Sequence, residues 1–394
     1  MKKLLFVTYD VYPHEGGKST HIKYLIDGLK ELGVECDVLA FNDANQMMNN
    51  VGKALVQPCK LKGKDCYLYY RLQVGKAVFK KAVKQKLSRS QYDMISAQDA
   101  ISGEILNQLL PQNQRISLTM HTYFGLENGM DNGVLKAGNK YYEKMKAEEL
   151  EALQCTKAVI AVDERIENHV VETLNSEGKK DNCKVYCIQN FINTSTFEPC
   201  PQRKDYDQLK VICVRRLVEK NGVIYAVKAM KYCDENIVLH VVGDGPEMGK
   251  IQAYIKAEGL EHRVVLHGSM KNEQVLQLYK SCNAAVVPSV TVNGLQEATS
   301  ISALEAMACS MPIVVSPIGG LKLLVKDGLT GFWAEERNEK EIASKLQWIY
   351  ENTEEASRIG ENAKKFVEEH HSHLSAAKCY LDIFSGQNSG EKLK

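Results

Sequence analysis

With 394 residues, 44% hydrophobic and 25% charged, the chain has the composition of a soluble globular protein large enough for two domains with substantial cores. A formal net charge of +1 gives no argument for an acidic partner, and no nucleic acid is expected. Twelve cysteines include no C-x-x-C pair, and the closest two, Cys183 and Cys187, have no histidine cluster beside them, which argues against zinc and for a reducing cytosol.

The apolar run Leu4–Val7 is too short for the core of a signal peptide and predicts a first buried strand, Leu4–Thr8. No stretch of about 18 apolar residues is present, so no membrane span is expected. A helix over Ser19–Leu32 stopped by Gly33 and a strand over Cys36–Phe41 follow. The segment Arg71–Arg89 predicts a helix with Lys76, Lys80, Lys81, Lys84 and Lys86 and no acidic residue, its apolar side formed by Val78, Phe79, Ala82, Val83 and Leu87. It reads either as a solvated outer face or, more sharply, as a surface that docks on anionic lipid heads. Short apolar runs at Asp93–Ala97, Arg115–Met120 and Ala158–Val162, with helical stretches between them, predict a parallel sheet covered by helices on both faces.

The second half repeats the plan, with strand-like runs at Val211–Val214, Val238–Val242, Val264–Leu266, Ala284–Pro288 and Pro312–Ser316. Asn193–Gln208 carries Pro199 and Pro201 without apolar periodicity and reads as a linker. The expected domains are residues 1–195 and 205–370, then a segment 371–394 whose helix Ala376–Phe384 packs back on the first domain and whose end, 388–394, is disordered. Doubly wound sheets of this class bind ligands outside the carboxyl ends of their strands.

The richest stretch is Glu297-Ala298-Thr299-Ser300-Ile301-Ser302-Ala303-Leu304-Glu305, two carboxylates with seven residues between them. Thr299 or Ser300 can cap a helix whose apolar face is Ile301, Leu304 and Ala308. Glu297 then lies in the preceding loop and Glu305 inside the helix, with the positive end of the helix between them, an arrangement that suits phosphate. At ~1.5 Å rise per residue the carboxylates stand on the order of 10 Å apart, a span for a sugar, a diphosphate and a ribose in series. The plain alternative is a capping box, Ser302-Ala303-Leu304-Glu305, with Glu297 an ordinary loop carboxylate.

Further candidates fall at predicted strand ends. Val214-Arg215-Arg216-Leu217-Val218-Glu219-Lys220-Asn221-Gly222 offers Arg and Lys to a diphosphate, or is a solvated basic turn. Gly243 either turns the chain beneath a nucleotide or ends a strand, and Ser269 and Met270 occupy the next such loop. Gly16-Gly17-Lys18-Ser19 lacks the first glycine of a G-x-x-x-x-G-K-[ST] loop, because position 12 is Tyr12; the glycine pair still permits close approach of an anion to a helix start. His121 follows the strand that ends at Met120, and Asn190 sits in the turn Ile188–Phe191.

Taken together, from Lys2 to about Val367, these motifs resemble those of the retaining glycosyltransferases of family 4, including the E-x7-E signature, the R-L-x-x-x-K-G loop with Arg216 as its arginine, and the Gly-Gly loop with His21. Asn221 stands where that loop has lysine, with Lys220 one position earlier. The resemblance implies an α/β GT-B fold, two doubly wound Rossmann-like domains facing a central cleft. It further implies a hexosyltransferase moving a sugar from a nucleotide-diphospho-sugar, UDP-sugar favoured, to a glycan, lipid-linked or small-molecule acceptor. The donor is then expected on the C-terminal domain and the acceptor on the N-terminal one. His121, Arg216, Lys220 and Glu297 are the implied catalytic residues. Gly16, Gly17, Asn190, Gly243, Ser269, Met270, Ala298, Thr299, Ser300, Ile301 and Glu305 join Arg216, Lys220 and Glu297 in the implied donor site. No metal motif of the D-x-D type stands in a suitable place, so no obligatory metal or other cofactor is expected. A cytoplasmic place, peripheral at the inner face of the cell membrane if the basic helix binds lipid, goes with this reading. Two rivals stay open at this point: a sugar-nucleotide epimerase of related fold, which would turn over without acceptor, and a non-catalytic sugar-nucleotide-binding protein, which would tolerate loss of Arg216.

Overall fold

The computed structural model describes residues 2–14, 16–111, 116–122, 138–176, 183–197, 207–292, 294 and 296–386. Glu15, Arg115, Tyr123, the proline-containing part of the linker and the tail 388–394 lie outside these residues. The chain divides into two units, Met1–Gln189 with Ala376–Lys394, and Asn190–Ser375.

In the first unit the apolar runs become the parallel strands β1 (Lys3–Thr8), β2 (Glu35–Ala40), β3 (Met94–Ala97), β4 (Ile116–Met120), β5 (Ala158–Ala161) and β6 (Lys184–Cys187). Their order in the sheet is β2-β1-β3-β4-β5-β6. The central strands are buried along their whole length, which is why they read as unbroken apolar runs. Helices α1 (Gly17–Glu31), α2 (Gln46–Leu55), α3 (Lys64–Arg89), α4 (Ala100–Leu109), α5 (Lys140–Cys155) and α6 (Glu164–Ser176) belong to this unit. Gly33 ends the first helical segment with φ +78°, a conformation that side chains with a Cβ avoid. The edge strand β6 was not foreseen, because Lys184-Val185-Tyr186-Cys187 is half polar and only partly buried.

Helix α3 keeps the apolar side of residues 71–89 inside the unit, while Arg71, Lys81, Lys84 and Arg89 are exposed. Its apolar residues Val78, Phe79 and Val83 are part of the hydrophobic core. Lys76 is 5% exposed and is held by Glu104 of α4 and, at 3.0 Å, by Glu148 of α5. Lys80 donates to Gln108 at 2.6 Å, and Lys86 pairs with Asp37 at 3.1 Å. The apolar side is thus spent inside the unit, and several of its cations are satisfied by neighbouring elements.

In the second unit β7 (Leu209–Val214), β8 (Ile237–Val242), β9 (Val264–Gly268), β10 (Ala284–Val287), β11 (Ile313–Val315) and β12 (Phe332–Trp333) pair in parallel, in the order β12-β11-β10-β7-β8-β9. They are accompanied by α7 (Val223–Ala229), α8 (Met248–Ala257), α9 (Asn272–Ser281), α10 (Ile301–Ala308), α11 (Gly319–Leu324), α12 (Glu339–Glu351) and α13 (Thr353–His370). A last helix, α14 (His373–Ser385), starts in the second unit, and its residues from Ala376 onward belong to the first. There Tyr380 is fully buried and its hydroxyl lies 3.2 Å from Nε2 of His21.

Candidate active site

The sheet of the second unit reverses its order of winding between β7 and β10: β8 and β9 lie to one side, β11 and β12 to the other. Ligand crevices of α/β sheets open at such points, beyond the carboxyl ends of the strands. Arg215 follows β7 here and Ser289 follows β10.

The Arg215 side chain is only 8% exposed. Its Nη2 lies 2.6 Å from Oε2 of Glu297 and its Nη1 3.2 Å from Oε1, a forked pair. The same guanidinium donates to Ser300 Oγ at 2.9 Å, Ser289 Oγ at 3.1 Å and Asn221 Oδ1 at 2.6 Å. Its buried Nε has no hydrogen-bond partner among the described residues. Burial works against the charge, but the Glu297 carboxylate more than restores it, so the guanidinium stays above its usual pKa.

Two glycines let the surrounding loops close on this group. Gly222 has φ +62°, and a Cβ there would stand 1.9 Å from the Pro288 carbonyl oxygen. At Gly243 a Cβ would stand 2.1 Å from the Arg215 carbonyl oxygen. The glycine at 243 is therefore required by packing against the β7 loop, whatever else it contacts. Asn221 turns its amide nitrogen to the Arg216 carbonyl at 2.7 Å and its oxygen to Arg215, so it organises the arginine loop.

The loop that carries Glu297 is pinned at both sides. Gly320 N–H donates to the Glu297 carbonyl at 2.9 Å, and the Asn190 amide donates to the Thr299 carbonyl at 2.7 Å. Asn190 thus works as a brace for the α10 entrance, with its own carbonyl accepting from His371 Nδ1 at 2.8 Å. Ser300 is the residue before α10 but does not cap it; its hydroxyl is engaged with Arg215 and lies 3.2 Å from Ser302 Oγ. Ser302 is inside the helix, so the capping-box alternative falls. Glu305 accepts from the hydroxyl of Tyr279 on α9 at 3.3 Å. Ala298, Thr299 and Ile301 lie between the two carboxylates, as the spacing required.

Arg216, the residue matched by pattern, is exposed, and Lys220 is half-buried in the turn Glu219–Asn221. The forked partner of Glu297 is Arg215, which the sequence reasoning passed over. The available signal was the second arginine combined with the missing lysine at Asn221. Ser269, exposed, and Met270, half-buried, follow the edge strand β9.

In the first unit Gly16 and Gly17 form the exposed start of α1, without a side-chain cap. Lys18 behind them pairs with Asp10 at 2.6 Å. His121 follows β4 and its Nε2 lies 3.2 Å from Gln98 Oε1. The Gln98 amide nitrogen points to Ser96 Oγ at 2.9 Å and Thr119 Oγ1 at 3.4 Å, so its oxygen faces the imidazole. That assignment puts the ring proton on Nε2 and leaves the Nδ1 lone pair free of that bond. Burial first, then the neighbouring His21 and Lys18, hold His121 well below the usual histidine range, so the ring is neutral at pH 7. His21 stands edge-on to it with ring centroids 4.7 Å apart.

Residues 15–196 match the family described as Glycosyltransferase Family 4, and residues 196–366 match Glycosyl transferases group 1. The chain belongs to the family 4 type of GT-B glycosyltransferases. Among its relatives, the uncharacterized glycosyltransferase MJ1178 of Methanocaldococcus jannaschii is 27% identical over 389 residues, 97% of each chain. The UDP-Gal:alpha-D-GlcNAc-diphosphoundecaprenol alpha-1,3-galactosyltransferase of Escherichia coli is 25% identical over 265 residues, 63% of this chain and 64% of that one. The structure of Anabaena Alr3699/HepE in complex with UDP-glucose superposes with a TM-score of 0.70 at 16% identity, covering 98% of this chain and 100% of that one. That last likeness shows the shared GT-B fold. As a glycosyltransferase, the chain is a transferase enzyme, and the epimerase and non-catalytic alternatives give way to it.

Proposed function

We propose that this glycosyltransferase is retaining, takes a UDP-sugar as donor, and builds a cell-envelope glycan or glycolipid on a lipid-linked acceptor at the cytoplasmic side of a membrane. The observation that carries the reading is the forked Arg215–Glu297 pair at the switch point, beside the uncapped start of α10. A guanidinium that grips both carboxylate oxygens holds the group in one orientation at the mouth of the switch point. UDP is favoured by the donor in the Escherichia coli relative's name and by the ligand bound to the Anabaena protein. The relative's name also favours a lipid-linked acceptor.

Each residue then has a task. Glu297 accepts from the transferred sugar, and Glu305, oriented by Tyr279, takes the ribose. Arg216 and Lys220, with the N–H groups of Thr299–Ile301, stabilise the charge that develops on the diphosphate as the C1–O bond breaks. The acceptor oxygen forms the new bond to C1 on the same face, and its proton passes to the departing diphosphate oxygen. His121, neutral, contacts the acceptor through its lone pair. No cofactor or metal takes part in these steps.

A thermal-shift panel of UDP-, GDP- and ADP-sugars tests the donor, since a ligand at 100 times its Kd stabilises by ~2.7 kcal/mol. Stabilisation by a GDP- or ADP-sugar alone would overturn the choice of base. Proton NMR of the product tests retention, and an inverted anomeric centre would overturn it.

A further inference from the structure

A row of polar side chains crosses the otherwise apolar sheet of the first unit beneath His121. Ser96 pairs in register with Ser117. Side chains two residues apart on a strand share a face, so Ser96, Gln98, Ser117 and Thr119 lie on one side of β3 and β4 and their extensions, and His121 is the next position along it. Ser96, Gln98, Ser117 and Thr119 are all buried. A buried polar group is costly unless it finds a partner, and these find one another. Ser117 Oγ donates to Ser96 Oγ at 3.0 Å, and the Gln98 amide nitrogen is taken up by the Ser96 and Thr119 hydroxyls. The Gln98 backbone N–H donates to the Val7 carbonyl of β1 at 2.8 Å. The residue is therefore anchored at both ends, and its side-chain carbonyl is left for His121 Nε2.

The ring is held from a second side as well. Tyr380 of α14 sets its hydroxyl 3.2 Å from His21 Nε2 and 3.5 Å from Thr119 Oγ1, and His21 stands edge-on to His121. Lys18, also on α1, lies between Asp10 at 2.6 Å and Asp99 at 3.9 Å and adds positive charge on the same side. These groups disfavour a charged ring, and no hydrogen bond to His121 Nδ1 is present among the described residues. Which nitrogen of a neutral histidine carries the proton is set by the bond that the other nitrogen makes. A carbonyl at Nε2 requires the proton there and leaves Nδ1 as a bare lone pair. The opposite amide orientation would place the proton on Nδ1 and make the ring a donor.

We propose that Gln98 is a positioning residue for the transfer: it locks His121 in the tautomer with a bare Nδ1, so that the ring meets its substrate as a hydrogen-bond acceptor and selects a hydroxyl over a negatively charged oxygen. The use of the ring in the transfer rests on the proposed contact between His121 and the acceptor; the tautomer stands without it.

The test uses the whole chain, its ten histidines labelled with nitrogen-15 in the ring. In long-range proton–nitrogen spectra the His121 signals are those missing from His121→Gln. They should show a neutral ring at pH 7 with the proton on Nε2. Gln98→Leu should lose that preference, and Ser117→Ala, which alters the same buried row away from the ring, should keep it. Gln98→Glu sets a carboxylate against the Nε2 proton and favours the imidazolium, so the ring should titrate at a higher pH than in the parent. Catalysis is read as UDP release from UDP-glucose. Gln98→Leu should lower kcat at least about tenfold, with KM for UDP-glucose within about twofold of the parent. With Gln98→Glu the rate should fall as the pH drops through the raised ring pKa, because Nδ1 then carries a proton, and should recover above it. A parent ring protonated at Nδ1 would overturn the proposal, and the parent spectrum decides this even if Gln98→Leu does not fold. Matching pH profiles of Gln98→Glu and the parent would overturn it too. Unchanged kcat in His121→Gln would overturn both the positioning role and the acceptor contact. UDP binding, followed by thermal shift, reports on the donor separately, and a protein with the Nε2 tautomer that binds no UDP would fail the donor reading alone.

Discussion

Arg215 and Glu297, 82 residues apart in sequence, meet as a two-pronged ion pair that ties the loop after β7 to the loop before α10. The pair stands on the floor of the switch point, and both side chains are largely withdrawn from water. Its geometry makes Glu297 an oriented acceptor in place of a mobile surface carboxylate.

The first prediction concerns stability. Removing one member of a buried pair strands the other, so Arg215→Ala should destabilise by ~3–5 kcal/mol. Arg216→Ala, one residue on but exposed, should stay within about 0.5 kcal/mol of the parent. Replacing both Arg215 and Glu297 by methionine should recover much of the loss. Urea titrations measure all of these, and equal effects of the two arginine variants would contradict the placement of the pair.

Catalysis should show the opposite ranking of Arg216. With folding intact, Arg216→Ala should cost at least ~2.7 kcal/mol of transition-state stabilisation, about a hundredfold in kcat. Single-turnover kinetics on purified variant read this directly. Normal turnover would remove Arg216 from the diphosphate and leave Lys220 and the α10 N–H groups to stabilise it.

The two carboxylates should separate by ligand. Glu305→Ala should weaken both UDP and the UDP-sugar, because it is assigned to the ribose. Glu297→Gln should weaken only the UDP-sugar. Calorimetry with both ligands on both variants decides, and matching losses on UDP would show that Glu297 does not act on the sugar.

His371 supplies a pH dependence. Burial pushes its pKa down from 6.5 to about 4, against the opposing effect of its bond to the Asn190 carbonyl. The unfolded chain binds this proton more readily than the folded one, so stability is fully present above about pH 6.5 and falls as pH drops toward 4. The contribution is on the order of 3 kcal/mol, the free-energy equivalent of a pKa lowered from 6.5 to about 4. A His371→Asn variant, which keeps an N–H for Asn190, should lose correspondingly less stability between neutral and acid pH. Parallel pH profiles of parent and variant would show that this histidine is not the group responsible.

The sequence by itself determined the two-sheet plan. Central parallel strands such as Met94–Ala97 and Ile116–Met120 are buried on both faces, so they had to be apolar throughout and were legible as runs. The edge strands Lys184–Cys187 and Phe332–Trp333 were not, because an edge needs less apolar content and Phe332–Trp333 spans only two residues. The start of the helix between Glu297 and Glu305 was equally legible, but not its cap, because the Ser300 hydroxyl is engaged by Arg215 instead. Which arginine reaches Glu297 was a tertiary matter: the chain direction leaving β7 aims Arg215 inward and leaves Arg216 exposed, and no local pattern encodes that. The same holds for the basic helix. Periodicity showed that α3 had an apolar face, but only packing against α4 and α5 brought Glu104 and Glu148 to Lys76 and turned that face inward. Conversely, α2 is amphipathic, and the fold leaves its apolar side in solvent. Amphipathicity says that a face must be covered; the positions of neighbouring elements decide what is left to cover it.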